Sequence, residues 1–143
     1  MLHDHDFYTK QIIHWVRNIH DSPGLDIQDD TQGSCRPNMT YAWIDGECRK
    51  CLPDFVARNI SVEPNLYILG EAKTYNDYLH RSDERNNQID VMLNFLKKQK
   101  NPILVYSLPR ELAVIAKNKI QEKMKLYGAE NICLEILDEY SEI

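Results

Sequence analysis

The chain has no run of about 18 consecutive apolar residues, which excludes a membrane-spanning helix on length alone. Its first six residues, Met1-Leu2-His3-Asp4-His5-Asp6, lack the apolar segment of a secretory signal. The expected location is therefore cytoplasmic, with no membrane partner. There the four cysteines remain thiols or bind metal rather than form disulfides. No internal repeat and no low-complexity segment breaks the chain. No aromatic-basic tract that would read a base sequence is present, and no zinc-finger or helix-turn-helix module is appended. Basic residues are the minority, 17 against 22 acids, and the net charge of −5 argues against a protein that coats nucleic acid.

What is present suits one folded unit. A length of 143 residues, 43% of them hydrophobic, fits a single domain spanning 1–143 with one packed interior. The charge is unevenly spread. Residues 97–125 carry eight Lys/Arg against Glu111 and Glu122, while residues 126–143 carry five acids and no Lys or Arg. The basic stretch reads either as a local phosphate-contacting band or as an ordinary solvated helix face.

Apolar periodicity predicts a helix over 6–20, with Phe7, Ile12, Trp15, Val16 and Ile19 on one face and Asp6 as its N-cap. Residues 21–38, with Pro23, Gly24, Gly33 and Pro37, read as a long loop. Strands are expected at 40–45, 49–57 and 65–73, the last two joined by a short connection from Arg58 to Pro64 into a hairpin. A helix follows over 82–98, capped by Ser82, and then a strand at 103–106 behind Pro102. A second long helix runs from Pro109 to about 127 and stops at Gly128, and the last strand covers 132–137. The order α-β-β-β-α-β-α-β implies an α/β fold: an α-β-β-β-α-β core with a mixed central sheet flanked by helices, plus a C-terminal helix and strand.

The informative residues are charges inside these apolar runs. Asp54 interrupts Leu52-Pro53-Asp54-Phe55-Val56-Ala57, and Glu71 and Lys73 close Leu66-Tyr67-Ile68-Leu69-Gly70-Glu71-Ala72-Lys73. An unpaired buried charge is costly, so these need a reason. Side chains alternate along a strand, so Glu71 and Lys73 share a face, and a suitable hairpin register adds Asp54 to it. Asp54 and Glu71 then offer oxygen ligands to Mg²⁺ or Mn²⁺, with the Ala72 backbone carbonyl as a neutral third. Lys73 adds an ammonium that orients water or offsets charge. This is equipment for metal-assisted phosphodiester hydrolysis. The bland reading is a surface ion pair between Glu71 and Lys73.

Pro53-Asp54 followed by Glu71-x-Lys73, on the second and third expected strands after a helix, resembles the PD-(D/E)XK nuclease superfamily. Its α-β-β-β-α-β core matches the expected elements over roughly 6–107. The resemblance implies a Mg²⁺- or Mn²⁺-dependent endonuclease acting on nucleic acid, most naturally DNA, and a homodimer is compatible with it. It also implies that Asp54 and Glu71 are metal ligands, that Lys73 is the catalytic lysine, and that Gln88, on the helix after the lysine strand, hydrogen-bonds the attacking water or a phosphate. The segment from Thr74 through Gln88 to Phe95-Leu96 looks like the VRR-NUC group, with Holliday-junction resolvases as another relative. The chain departs from the pattern at the first helix, where many members carry a metal-binding Glu. Residues 7–20 contain no acid, only Gln11 and His14, with Asp4 and Asp6 just before them.

Cys48-Arg-Lys-Cys51, with Cys35 upstream, supplies three of the four ligands a structural zinc needs. His14, His20, His80 or Cys133 would have to complete it, and free thiols are the default. Three functions stay open: a small Mg²⁺-dependent nuclease, an inactive nucleic-acid-binding or complex-forming subunit on the same fold, and a structural or regulatory protein with an unrelated α/β fold.

Overall fold

A computed structural model describes residues 2–31, 33, 35–60 and 64–142. The expected connection 58–64 and loop 21–38 thus fall partly outside the described residues, at 61–63 and at 32 and 34. The described elements are α1 (His5–Ile19), β1 (Leu25–Asp29), β2 (Thr40–Ile44), β3 (Glu47–Cys51), β4 (Phe55–Asn59), β5 (Tyr67–Ala72), α2 (Tyr75–His80), α3 (Ser82–Leu96), β6 (Pro102–Ser107), α4 (Arg110–Leu126) and β7 (Cys133–Leu137). The expected mixed α/β architecture holds: a five-stranded mixed sheet flanked by helices, ending in a helix and a strand. None of the described helices is long and apolar enough to cross a membrane.

The sheet order is β1-β4-β5-β6-β7. β1 pairs antiparallel with β4, and β4 antiparallel with β5, while β5, β6 and β7 run parallel. Central strands covered on both faces read as continuous apolar runs, and β6 is buried at every position. On one face α1 packs Tyr8, Ile12 and Val16 against Phe55, Ile68 and Val105. On the other, α3 and α4 pack Met92, Leu96 and Ile120 against Leu69, Leu104 and Tyr106. Gly70 permits the close approach of α1: a Cβ there would lie 3.0 Å from Phe55 Cβ and 3.1 Å from Ile12 Cγ2.

Four expectations are corrected. The loop 21–38 contains β1, whose Leu25 and Ile27 pack on the sheet while Pro23 and Gly24 hide it from a composition-based reading. The single strand 49–57 is two strands, broken where Pro53 lacks a ladder N–H. β2 and β3 form their own two-stranded sheet, a hairpin closed by Asp45 (φ 51°) and Gly46 (φ 77°), the backbone a tight two-residue turn requires. The segment between Lys73 and Ser82, for which no element is expected, contains α2, capped by Thr74, whose hydroxyl accepts from Asp77 N at 3.2 Å. The cap positions shift as well. Asp4 rather than Asp6 caps α1, accepting from Phe7 N, and Arg81 rather than Ser82 precedes α3.

The hairpin is tied down by an ionic knot. Asp90, buried on α3, accepts from Lys123 Nζ at 2.6 Å and Arg49 at 3.1 Å, and Arg49 Nε also donates to Asn87. One carboxylate thus joins β3, α3 and α4. Lys123 and Lys97 are consequently not free cations of the basic stretch, since Lys97 donates to Asn94 Oδ1 and the Tyr127 carbonyl.

Candidate active site

Three strands deliver three carboxylates to one end of the sheet. Asp29 is opposite Phe55, and Phe55 opposite Gly70, so the next residues, Asp30, Asp54 and Glu71, form a row across β1, β4 and β5. Two backbone contacts fix the row. Asp30 N donates to the Asp54 carbonyl at 3.0 Å, and Ala72 N donates to Asp54 Oδ2 at 2.9 Å. Asp54 is therefore held by the backbone although it lies just outside a strand.

Glu71 is only 2% exposed and Lys73 is buried beside it. Lys73 extends β5 by donating its backbone N–H to the Ser107 carbonyl at 2.9 Å. Its Nζ lies 3.6 Å from Glu71 Oε1 and donates to Gln88 Oε1 at 2.6 Å. Gln88 lies on the buried side of α3 and in turn donates to Glu84 at 3.5 Å. Glu71 Oε2 is buried without a hydrogen-bond partner, as is the Tyr106 hydroxyl of the neighbouring strand position. Asp54, Glu71, Lys73 and Gln88 line a cleft of about 530 Å³, together with Met39, Lys50, Leu52, Asp77, Arg81 and Glu84.

α1 adds a group from the far side of the sheet. His5 Nε2 lies 3.1 Å from Asp54 Oδ2, and Nδ1 lies 3.7 Å from Asp30 Oδ2. Candidate ligand atoms of His5, Asp30 and Asp54 all fall within 4.8 Å of one another. Sequence reading missed both His5 and Asp30. Asp30 follows the overlooked β1. His5 precedes the apolar stripe at 7–20, where an acid was sought. An acidic pair at the end of an alternating Leu25-Asp-Ile27 segment was the available signal.

The electrostatics are those of crowded carboxylates. Burial, then the Asp54 charge and a hydrogen bond to Asp54, push Glu71 well above the usual carboxylate range, with Lys73 opposing. Burial alone would raise Asp54, but hydrogen bonds from His5, Glu71 and Asp30 outweigh it and hold Asp54 well below that range. Burial and then Asp54 raise Asp30 to about 7. The hydrogen bond to Asp54 raises His5 to about 9 against the effect of burial. Two ionised carboxylates in contact and away from water repel, so a proton or a cation has to lie with them. Together with the orphaned Glu71 Oε2, this makes the oxygen donor set fit a hard divalent cation.

Asp54, Glu71, Lys73 and Gln88 are thus brought together, and Ala72 lines the same cleft. The cysteines are not gathered with one another. All four are free, Cys35 and Cys48 exposed and Cys51 buried. Three positions apart on one strand, Cys48 and Cys51 point to opposite faces, and neither belongs to a metal-binding cluster among the described residues. Burial pushes the Cys51 thiol up to about 12, with Glu71 and Asp54 adding to it, so in the metal-free protein it stays protonated at neutral pH. Gln11 and His14 do not complete the carboxylate set. Gln11 instead accepts from Ser107 Oγ and donates to the Asp138 carbonyl. Compared with protein-family models, curated protein sequences and solved structures, the chain matches none of them.

Proposed function

We propose that the chain is a divalent-metal-dependent nuclease that hydrolyses phosphodiester bonds of DNA. The observation that carries this reading is the convergence of Asp54, Glu71, Lys73 and Gln88 on one cleft, with a buried, unpartnered oxygen on Glu71. The resemblance of Pro53-Asp54 and Glu71-x-Lys73 to PD-(D/E)XK nucleases supports the same reading.

Asp54 and Glu71 would hold Mg²⁺ or Mn²⁺, with the Ala72 carbonyl within the same cleft. Such a cation would supply Lewis-acid polarisation of a phosphate oxygen and activation of water. The protein groups divide the remaining work. The Ala72 N–H fixes the Asp54 carboxylate, so the ligand set is preorganised by the sheet rather than by a flexible loop. Gln88 and Glu71 hold Lys73 as a point charge where charge develops on the phosphate. Hydrolysis forms one P–O bond to the water oxygen and breaks the P–O bond to the departing sugar oxygen, which takes up a proton.

A second reading is a nucleic-acid-binding subunit without catalysis. The His5–Asp54 hydrogen bond favours it, because it sets an imidazole against the carboxylate that a metal would need. Cleavage of plasmid and of single-stranded DNA with Mg²⁺ or Mn²⁺ by wild type, Lys73→Ala and Asp54→Ala separates the two. The nuclease reading requires a loss of at least ~100-fold in both variants, and equal activity in all three would sink it.

A further inference from the structure

The hairpin β2–β3 turns Ala42, Ile44 and Cys51 inward onto α3 and leaves an aromatic face outward. Tyr41 is 56% and Trp43 66% exposed, and their cross-strand partners are Lys50 and Cys48, both exposed. Neither ring packs against another aromatic ring among the described residues. Two large exposed rings on one strand face offer an apolar surface suited to stacking.

The patch is continuous with the candidate active site. Met39, Lys50 and Leu52, at the base of the hairpin, are walls of the cleft that holds Asp54 and Lys73. Met39 also borders an adjoining hollow of about 280 Å³ that contains Tyr41, Arg58 and Tyr67. The charge is graded along this path. Lys50 lines the cleft at the base of the hairpin and Arg58 lines the adjoining hollow beside Tyr41, whereas Asp45 and Glu47 occupy the hairpin tip. An anionic chain is thereby drawn to Lys50 and Arg58 at the base of the hairpin, where the cleft begins; the cleft itself also carries Asp77 and Glu84, the latter paired with Arg81.

We propose that this face binds single-stranded DNA, with bases stacked on Tyr41 and Trp43 and the backbone passing Lys50 into the cleft. The inference rests on the nuclease reading and sharpens it: the bond presented to Asp54, Glu71 and Lys73 belongs to an unpaired strand. Tyr41 and Trp43, two residues apart on one strand, are separated by ~7 Å, about twice the 3.4 Å repeat of stacked bases. That spacing suits bases of an extended strand. A duplex cannot use it, because its base faces are already covered by their neighbours.

Binding is measured without divalent metal, in EDTA, so that no cleavage intervenes. The probes are oligo(dT) of about 16 nucleotides, oligo(rU) of the same length, and a duplex. Oligo(dT) should quench Trp43 fluorescence and bind more tightly than the duplex. Tyr41→Ala and Trp43→Ala should each weaken oligo(dT) binding by about tenfold, with unchanged melting temperature and unchanged duplex binding. Trp43→Phe should restore binding to within about threefold, since a phenyl ring still stacks. Equal losses for duplex and single strand, or no loss in either variant, overturn the proposal. So does a preference for oligo(rU), or self-association abolished by Trp43→Ala, which would make a second copy the occupant. Oligo(dT) binding that needs Trp43 but is followed by no cleavage on adding Mg²⁺ upholds the surface and sinks the nuclease reading. Cleavage that ignores Tyr41 and Trp43 does the reverse.

Discussion

Lys73 Nζ and Gln88 Oε1 are 2.6 Å apart, a buried hydrogen bond from the end of β5 to the middle of α3 at the wall of the cleft. It explains how a lysine can be buried against only one carboxylate, itself 3.6 Å away. The glutamine carbonyl completes its solvation and aims it.

Gln88→Ala should therefore damage catalysis more than folding. Losing a hydrogen bond to a charged group costs about 1.5–3 kcal/mol, which translates to roughly a 10- to 100-fold lower single-turnover cleavage rate. Substrate binding in EDTA should be unchanged. Single-turnover rates with Mg²⁺ check this, and wild-type rates in Gln88→Ala would assign Gln88 to packing alone.

The His5–Asp54 contact should be visible as a pH dependence of stability in metal-free protein. His5 is raised from 6.5 to about 9, so the folded state holds its proton more tightly than the unfolded state. Its contribution is complete below pH 6.5 and is lost as pH rises through about 9. Asp30, raised from 3.8 to about 7, also prefers its proton in the folded state, so its contribution falls as pH rises from about 3.8 to about 7, mostly below the histidine's range. Comparison with His5→Gln isolates the histidine. The melting-temperature advantage of wild type in EDTA should shrink between pH 6.5 and 9, and a constant difference would count against the contact.

Of the basic residues on α4, Lys123 differs from its neighbours. It is one of two cations on buried Asp90, whereas Lys117 and Lys119 are exposed. Lys123→Ala should destabilise by about 1–3 kcal/mol, because Asp90 keeps only Arg49. Lys117→Ala and Lys119→Ala should stay within about 0.5 kcal/mol. Urea titrations distinguish these outcomes, and three equal values would remove the ionic knot from the account.

Several features were legible from sequence because burial left a period or an uninterrupted apolar run. Leu112, Ala116, Ile120 and Met124 recur every fourth residue and are the buried side of α4. Tyr67–Ala72 and Pro102–Ser107 lie in the middle of the sheet and read as solid apolar runs. Asp54, Glu71 and Lys73 stood out because charge inside such a run is unusual. β1 was hidden because its edge strand carries Asp26 and Gln28 amid turn formers, and Asp30 was hidden with it. The Cys48–Cys51 spacing suggests a metal knuckle only until the segment proves to be an extended strand, where a three-residue step reverses the face. Whether two strands join the main sheet or form a separate hairpin depends on long-range pairing, which local patterning does not encode.

The central claim is that Asp54 and Glu71 hold a divalent cation. Anomalous diffraction from crystals soaked in Mn²⁺ tests it most directly. The account requires a manganese peak between the Asp54 and Glu71 carboxylates, at about 2.1–2.2 Å from oxygens of both, and its loss in Asp54→Ala. No peak there, or a peak held by His5 and Asp30 without Glu71, would contradict it.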